Sequence, residues 1–372
     1  MQTGMRRTIR TAVVGAFCVA VLAVLAACGS GGSSGGSDVD QVSATYTTPP
    51  TEIGNTTKIT EPIPSGLKIV LVAGSTPQIP VYLKGLQAAS DVLGWEVSSM
   101  TFDQANPATI TSTIDSAIAQ KPDAVVVIAL ENATFASSLT KAREAGVPIV
   151  TAVTADDGAE GLYPIMRTKS QAAYTTKAMT SIILEDAEQK DQTAHILQLT
   201  VPAVNAVFAP KNDGVKKELG EQCQECTRGL LDISFPDVFN GKFTQQVVSY
   251  IQKHPEVNYV LADSGQLGSG VDAALKQAGL NDVKVYGFDA STVQIEELQN
   301  GRTGAWTIAP YQVNGWMMAD LIARIKTGGD TTVWDNEHLA YVVTAENADE
   351  VNTGDPEFPE GYQDQFRALW GK

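Results

Sequence analysis

Residues 67–94 read LKIVLVAGSTPQIPVYLKGLQAASDVLG, and the order of signals in this stretch decides the fold. The run LKIVLVA (67–73) is almost wholly apolar, which suits a short strand buried on both faces. A Ser75-Thr76-Pro77 turn follows, and 80–93 carries apolar residues at helical spacing until Gly94 stops it. The same alternation continues. Further strands are predicted at 95–102, 124–129 (AVVVIA), 147–153, 195–199, 230–234, 259–262, 283–287 and 303–309. Helices are predicted between them at 107–120, 133–145, 170–187, 206–219, 242–253, 267–278, 293–300 and 312–327, with Asn106 placed to cap the first of these. Strands alternating with helices of this length imply an α/β fold of parallel sheets with right-handed crossovers, and two such rounds imply two Rossmann-like lobes. In open sheets of this kind ligands bind beyond the carboxyl ends of the strands. The candidate site is therefore the set of loops after Ala73, Ala129, Val153, Leu199, Ala262, Phe288 and Ala309.

The 372 residues suit two domains, and 26 Lys and Arg against 42 Asp and Glu give a net charge of −16. A surface so acidic repels phosphate backbones, so no nucleic-acid partner is expected. The start of the chain is different. Residues 1–27 join a basic MQTGMRRTIR to an uncharged, Ala- and Val-rich segment, and end in Leu25-Ala26-Ala27 before Cys28. The apolar segment is short for a membrane span and normal for a secretory signal. Its ending resembles a bacterial lipobox, in which the thiol of the cysteine takes a diacylglycerol and the leader is cut before it. Residues 1–27 are thus read as a lipoprotein signal peptide and Cys28 as the lipidated residue. Residues 28–66 are read as the lipidated cysteine and a flexible tether, which opens on GSGGSSGGS (29–37) and is rich in Pro and Thr. The body is expected at the extracytoplasmic face of the cell membrane, held there by its lipid.

From residue 67 to about 345 the chain resembles a type I periplasmic binding protein of the ribose/galactose-type branch. The resemblance rests on Leu83-Lys84-Gly85, Asp91-Val92-Leu93-Gly94, Asp103 with Asn106-Pro107, Lys121-Pro122-Asp123-Ala124 and Ala145-Gly146-Val147-Pro148-Ile149-Val150. Later matches are His254-Pro255-Glu256-Val257, Ala278-Gly279-Leu280 and Gly287-Phe288-Asp289. The family implies two lobes joined by a three-strand hinge, closing on one small-molecule solute and delivering it to an ABC permease, as a monomer and without a cofactor. It places 67–168 with 310–327 in an N-terminal lobe and 169–309 with 328–345 in a C-terminal lobe. The tail 346–372 lies beyond the shared region. Its aromatics at 362, 366 and 370 have the spacing of a helix packed on a lobe.

Sugar-binding members of the family hold their ligand with two aromatics after the first strand, an Asp-Arg pair, an arginine opening the second lobe, an Asn and a late Asp. Here those positions fall at Gln78 and Ile79, at Val153 and Thr154, near Phe208, near Ser264 and at Asp289, so only the late Asp is retained. Phe239 lies within a residue of an aromatic that the relatives use. Ser75, Glu131, Arg167, Asn205, Tyr311 and Gln312 complete the candidates, by their places on loops at the expected cleft or near its crossovers. The alternatives for these residues are structural: a helix cap or hinge bond for Asp289, turn chemistry for Ser75, Gln78 and Thr154, core for Phe208. The pattern implies a cleft less charged and more apolar than a ribose site. A sugar or polyol is favoured, with a more apolar ring compound as the other picture. A ligand-presenting sensor for a membrane receptor is the alternative role for the same cleft.

Cys223 and Cys226 form C-x-x-C at a helix end in a body placed outside the cytoplasm, which points to a small disulfide rather than a redox centre. The three histidines (195, 254, 338) are scattered, so no metal site is expected. The sequence holds no H-E-x-x-H, G-x-S-x-G or phosphate loop, and a binding protein rather than an enzyme is expected.

Overall fold

The computed structural model describes residues 45–103, 106, 108–334, 339–352 and 356–372, apart from the side chains of residues 204–206. Cys28 and the signal peptide lie outside the described residues, as does the side chain of Asn205.

Five strands, β1 (Lys68–Ala73), β2 (Glu96–Thr101), β3 (Ala124–Ile128), β4 (Ile149–Thr154) and β5 (Leu162–Arg167), form one parallel sheet in the order β2-β1-β3-β4-β5. The second sheet has the order β11-β10-β9-β8-β6-β7. Its strands are β6 (His195–Thr200), β7 (Thr227–Asp232), β8 (Tyr259–Ala262), β9 (Lys284–Gly287), β10 (Ala305–Ile308) and β11 (Tyr341–Thr344). Among these strands only the β10–β11 pair is antiparallel. Each sheet carries its own lobe. The central strand β1 is buried from Ile69 to Ala73, as an unbroken apolar run between two neighbours requires.

The helices are α1 (Ile79–Leu93), α2 (Ala108–Ala119), α3 (Ala136–Ala145), α4 (Thr168–Gln189), α5 (Asn205–Gln222) and α6 (Phe235–Asn240). The second half adds α7 (Phe243–Lys253), α8 (Gly265–Gly268), α9 (Val271–Gln277), α10 (Thr292–Gln299), α11 (Tyr311–Thr327) and α12 (Tyr362–Trp370). Gly94 and Gly146 end α1 and α3 in the left-handed region (φ 72° and 68°), and their N–H groups return to carbonyls of the last turn.

Three differences from the sequence reading have clear causes. Strand β5 was not predicted. It contains Pro164, which only a sheet edge tolerates, and β5 is the edge. The helix expected over 267–278 is two helices, because Gly270 adopts φ 76° between them. Residues 45–66, read as tether, are laid on the body. Ile53 is buried, and its N–H bonds Gln365 Oε1 at 3.0 Å. The Ile59 N–H bonds the Leu369 carbonyl at 2.9 Å, and Trp95 Nε1 donates to the Pro64 carbonyl at 2.7 Å. Low complexity ends before this stretch, and Ile53, Ile59 and Ile63 give it apolar anchors.

The chain crosses between the lobes after β5, after β10 and after α11. Helix α11 leaves the second sheet to pack on α1, and two glycines allow the approach. A Cβ on Gly85 would stand 2.0 Å from the Gln312 carbonyl oxygen, and one on Gly315 would stand 2.3 Å from the Leu86 nitrogen. The outer side of α11 receives α12, whose Trp370 stacks on Trp316 at 5.4 Å. Below them Asp320, fully buried, accepts hydrogen bonds from Arg324 Nε (2.6 Å), Trp334 Nε1 (2.8 Å) and Trp370 Nε1 (2.8 Å).

Candidate ligand-binding cleft

The strands of both lobes point their carboxyl ends at a shared cavity of about 180 Å³. Gly74, Ile128, Ala129 and Val153 reach it from the first lobe, and Val201, Ser264 and Asp289 from the second. Ala129, Val153 and Asp289 have φ of 57°, 55° and 54°, where a residue other than glycine is uncommon and a β-branched one is strained. Such strain costs on the order of 1–3 kcal/mol each and persists where the surrounding structure enforces it. Here it falls on three strand ends that line one cavity.

Four helices present their N-terminal turns. From α1 and the residue before it come Gln78, Ile79 and Tyr82; from α4, Thr168 and Gln171; from α5, Val207, Phe208 and Lys211; from α11, Tyr311. Phe102, Phe235 and Val238 add apolar wall. The Tyr82 and Tyr311 rings meet edge to face at 5.1 Å. Burial, followed by the nearby charge of Asp289, pushes both phenols above their ordinary pKa, so both remain neutral.

Among the described residues the wall carries two charges, and they are paired. Lys211 Nζ donates to Asp289 Oδ2 at 2.5 Å and to the Asp263 carbonyl at 2.9 Å. The ammonium also lies 5.1 Å from the Phe288 ring centre and 5.5 Å from that of Phe208. Behind it, Arg228 Nη1 donates to Gln198 Oε1 (2.5 Å), and Gln198 Nε2 donates to Asp263 Oδ1 (2.6 Å). Asp263 is wholly buried, its Oδ2 has no close hydrogen-bond partner among the described residues, and burial raises its pKa to about 6 against the pull of Gln198, Lys211, Thr200 and Arg228.

Of the residues named from sequence, Gln78, Ile79, Phe208, Ser264, Asp289 and Tyr311 come together on this cavity. Others do not. Ser75 is exposed, and its neighbour Thr76 lines the wall instead. Glu131 is exposed off the cavity. Thr154 is buried with its hydroxyl accepting from the Asp156 N–H at 3.1 Å, while Val153 takes the cavity face. Arg167 turns away to pair with Asp157. Phe239 is 65% exposed and stacks on Phe235, which is the ring that reaches the wall. Gln312 Nε2 donates to Glu357 Oε1 at 2.6 Å, away from the cavity. Sequence reasoning missed Tyr82, Gln171, Phe235, Gln266 and, above all, Lys211. Spacing held the clue for two of them: Tyr82 follows Ile79, and Lys211 follows Phe208, by three residues on one helical face.

Cys223 and Cys226 are bonded to each other across the turn from α5 to β7, with Cα atoms 5.4 Å apart. Among the described residues no group of His, Cys, Asp and Glu converges as a metal site, and no helix is long and apolar enough to cross a membrane.

Many solved structures share this architecture, among them the following three. An ABC sugar transporter subunit from Rhodobacter sphaeroides is 20% identical, with a TM-score of 0.65 over 76% of this chain and 99% of that one. A solute-binding protein of an ABC transporter from Mycobacterium smegmatis, with bound glycerol, is 17% identical, with a TM-score of 0.66 over 79% and 100%. One from Agrobacterium vitis, with bound allitol, is 18% identical, with a TM-score of 0.64 over 77% and 98%. No functionally curated protein is similar in sequence at a significant level. Residues 69–330 match the family model described as periplasmic binding protein domain, which covers both sheets up to β10 and the returning helix α11. The chain is a member of the periplasmic binding protein domain family.

Proposed function

We propose that this protein is the solute-binding component of an ABC importer and that it captures a sugar or polyol between its lobes. The observation that carries the reading is the cleft itself. It is walled by both lobes, with aromatic rings beside neutral amides and hydroxyls and a single internally paired charge couple. Rings cover the apolar face of a sugar, while amides and hydroxyls can each donate and accept to its hydroxyls. A ligand that touches both lobes lowers the energy of the closed state relative to the open one, and a permease can read that difference. The bound glycerol and allitol of the solved relatives point to the same ligand class. The lipobox-like end of the leader supports attachment through Cys28 at the outer face of the membrane.

The test is a thermal-shift screen of the purified protein against hexoses, pentoses and alditols, alongside aromatic and steroid-like acids, followed by calorimetry. At least one sugar or alditol should raise the melting temperature and bind with one-to-one stoichiometry. The reading is wrong if all of them leave it unmoved while an apolar acid raises it. Asp289→Ala should weaken the binding roughly 10- to 100-fold, the worth of a hydrogen bond to a charged group, with the protein still folded.

A further inference from the structure

Lys211 is almost fully buried, at 5% exposure, yet lines the cavity. Two of its three N–H bonds are spent on Asp289 Oδ2 and the Asp263 carbonyl, and the third has no acceptor among the described residues. Among the described residues, Asp289 is the only carboxylate on the cavity wall; its side chain is 23% exposed, and its Oδ1 is likewise unengaged among them. Two aromatic rings flank the ammonium, at 5.1 and 5.5 Å, so the pair is in place without a ligand. Around it, Gln78, Gln171, Gln266 and Ser264 contribute only neutral polar groups.

We propose that Lys211 is the specificity-determining residue of the cleft. By neutralising Asp289 it restricts the site to uncharged polyhydroxylated ligands, and it offers a carboxylate oxygen and an ammonium N–H side by side to two adjacent hydroxyls. This rests on the sugar or polyol reading and narrows it. One hydroxyl of a vicinal diol donates to Asp289 Oδ1 and its neighbour accepts from Lys211 Nζ. A ligand carboxylate would meet Asp289, and a ligand ammonium would meet Lys211, with no second counter-charge among the described wall residues to relieve either contact.

The experiment uses matched trios of probes: glucose, galactose, allose and allitol, each as the neutral compound, as the acid formed by oxidising a terminal carbon, and as the amine replacing one hydroxyl. Calorimetry on the wild-type protein should show one neutral member bound at least 30-fold tighter than its acid and its amine. In Lys211→Met the uncompensated carboxylate should admit the amine, which gains at least 10-fold over wild type while the neutral member loses at least 10-fold. In Asp289→Asn the acid should make the corresponding gain. The proposal is overturned if wild type binds a charged member within threefold of its neutral partner. It is also overturned if the variants, folded by circular dichroism, keep the wild-type order of preference. Should either variant fail to fold, the wild-type ratios and the other variant still decide. If no member of any trio binds, the sugar or polyol reading itself falls and takes this inference with it, an outcome distinct from binding without charge discrimination.

Discussion

Asp263 sits one residue before Ser264 on the cavity wall, with no exposure to water, and its burial has a measurable consequence. Its pKa rises from the ordinary 3.8 to about 6 in the fold, so the folded state keeps a proton that the unfolded chain gives up across that interval. Wild-type stability should therefore fall as pH rises from about 4 to about 6 through this group, and be steady in this respect above it. Asp263→Asn removes the titration and keeps an oxygen for the Gln198 amide. The stability difference between variant and wild type should grow in the variant's favour across that window, by up to about 3 kcal/mol. Urea denaturation from pH 4 to pH 7 measures it, and a difference that stays constant with pH would contradict the assignment. At this scale the sequence was only partly informative. Asp289 was legible because it ends a recognisable Gly-Phe-Asp strand. Lys211 was not, because a lysine on a helix is ordinarily a solvated charge, and only the fold shows that two phenylalanines and an aspartate enclose it.

Elements were easier to read than side chains where a single physical signal governed them. LKIVLVA suited a strand covered on both faces, and Gly94 and Gly146 marked helix ends through their backbone freedom. The signal failed where a context outside the segment decided the outcome. Strand β5 is a strand because it has an edge to occupy, and β11 because β10 offers it an antiparallel partner. The α1–α11 contact is also such a case. Gly85 and Gly315 look like ordinary helix residues in sequence, yet each lies where a side chain would strike the backbone of the other helix. Gly315→Leu should lower the melting temperature by several degrees, since forcing side chains into a packed contact costs about 1–3 kcal/mol. Gly328→Ala, at the end of α11 with open space around it, should cost less, limited to the strain of its φ of 69°. Differential scanning calorimetry of the two variants compares them directly; equal losses would mean that the interhelical contact is looser than the structure has it.

At the scale of the whole molecule, the two lobes meet through the cleft and through three crossings of the chain, and the described N-terminal segment adds a further link. Tyr46 packs edge to face on Tyr174 of α4 at 5.5 Å, and the Thr47 carbonyl accepts from Asn347 Nδ2 at 3.0 Å, both on the second lobe. Ten residues on, the Thr57 carbonyl accepts from Arg324 Nη2 at 2.5 Å, and further along the Pro64 carbonyl accepts from Trp95, both on the first. Composition alone had assigned this segment to the tether, because its prolines and threonines mask the few apolar anchors that dock it. Tyr46→Ala should release its outer end at a cost of about 1 kcal/mol. Small-angle scattering should then show a larger radius of gyration for the unliganded variant than for the unliganded wild type, and equal radii would mean that the segment bears no load.

That docked segment behaves as a chin-strap. It is buckled on both halves of the jaw, so the jaw cannot gape without drawing it taut. A pull applied from the N-terminal side is borne first by the Tyr46 buckle and then by the Arg324 one.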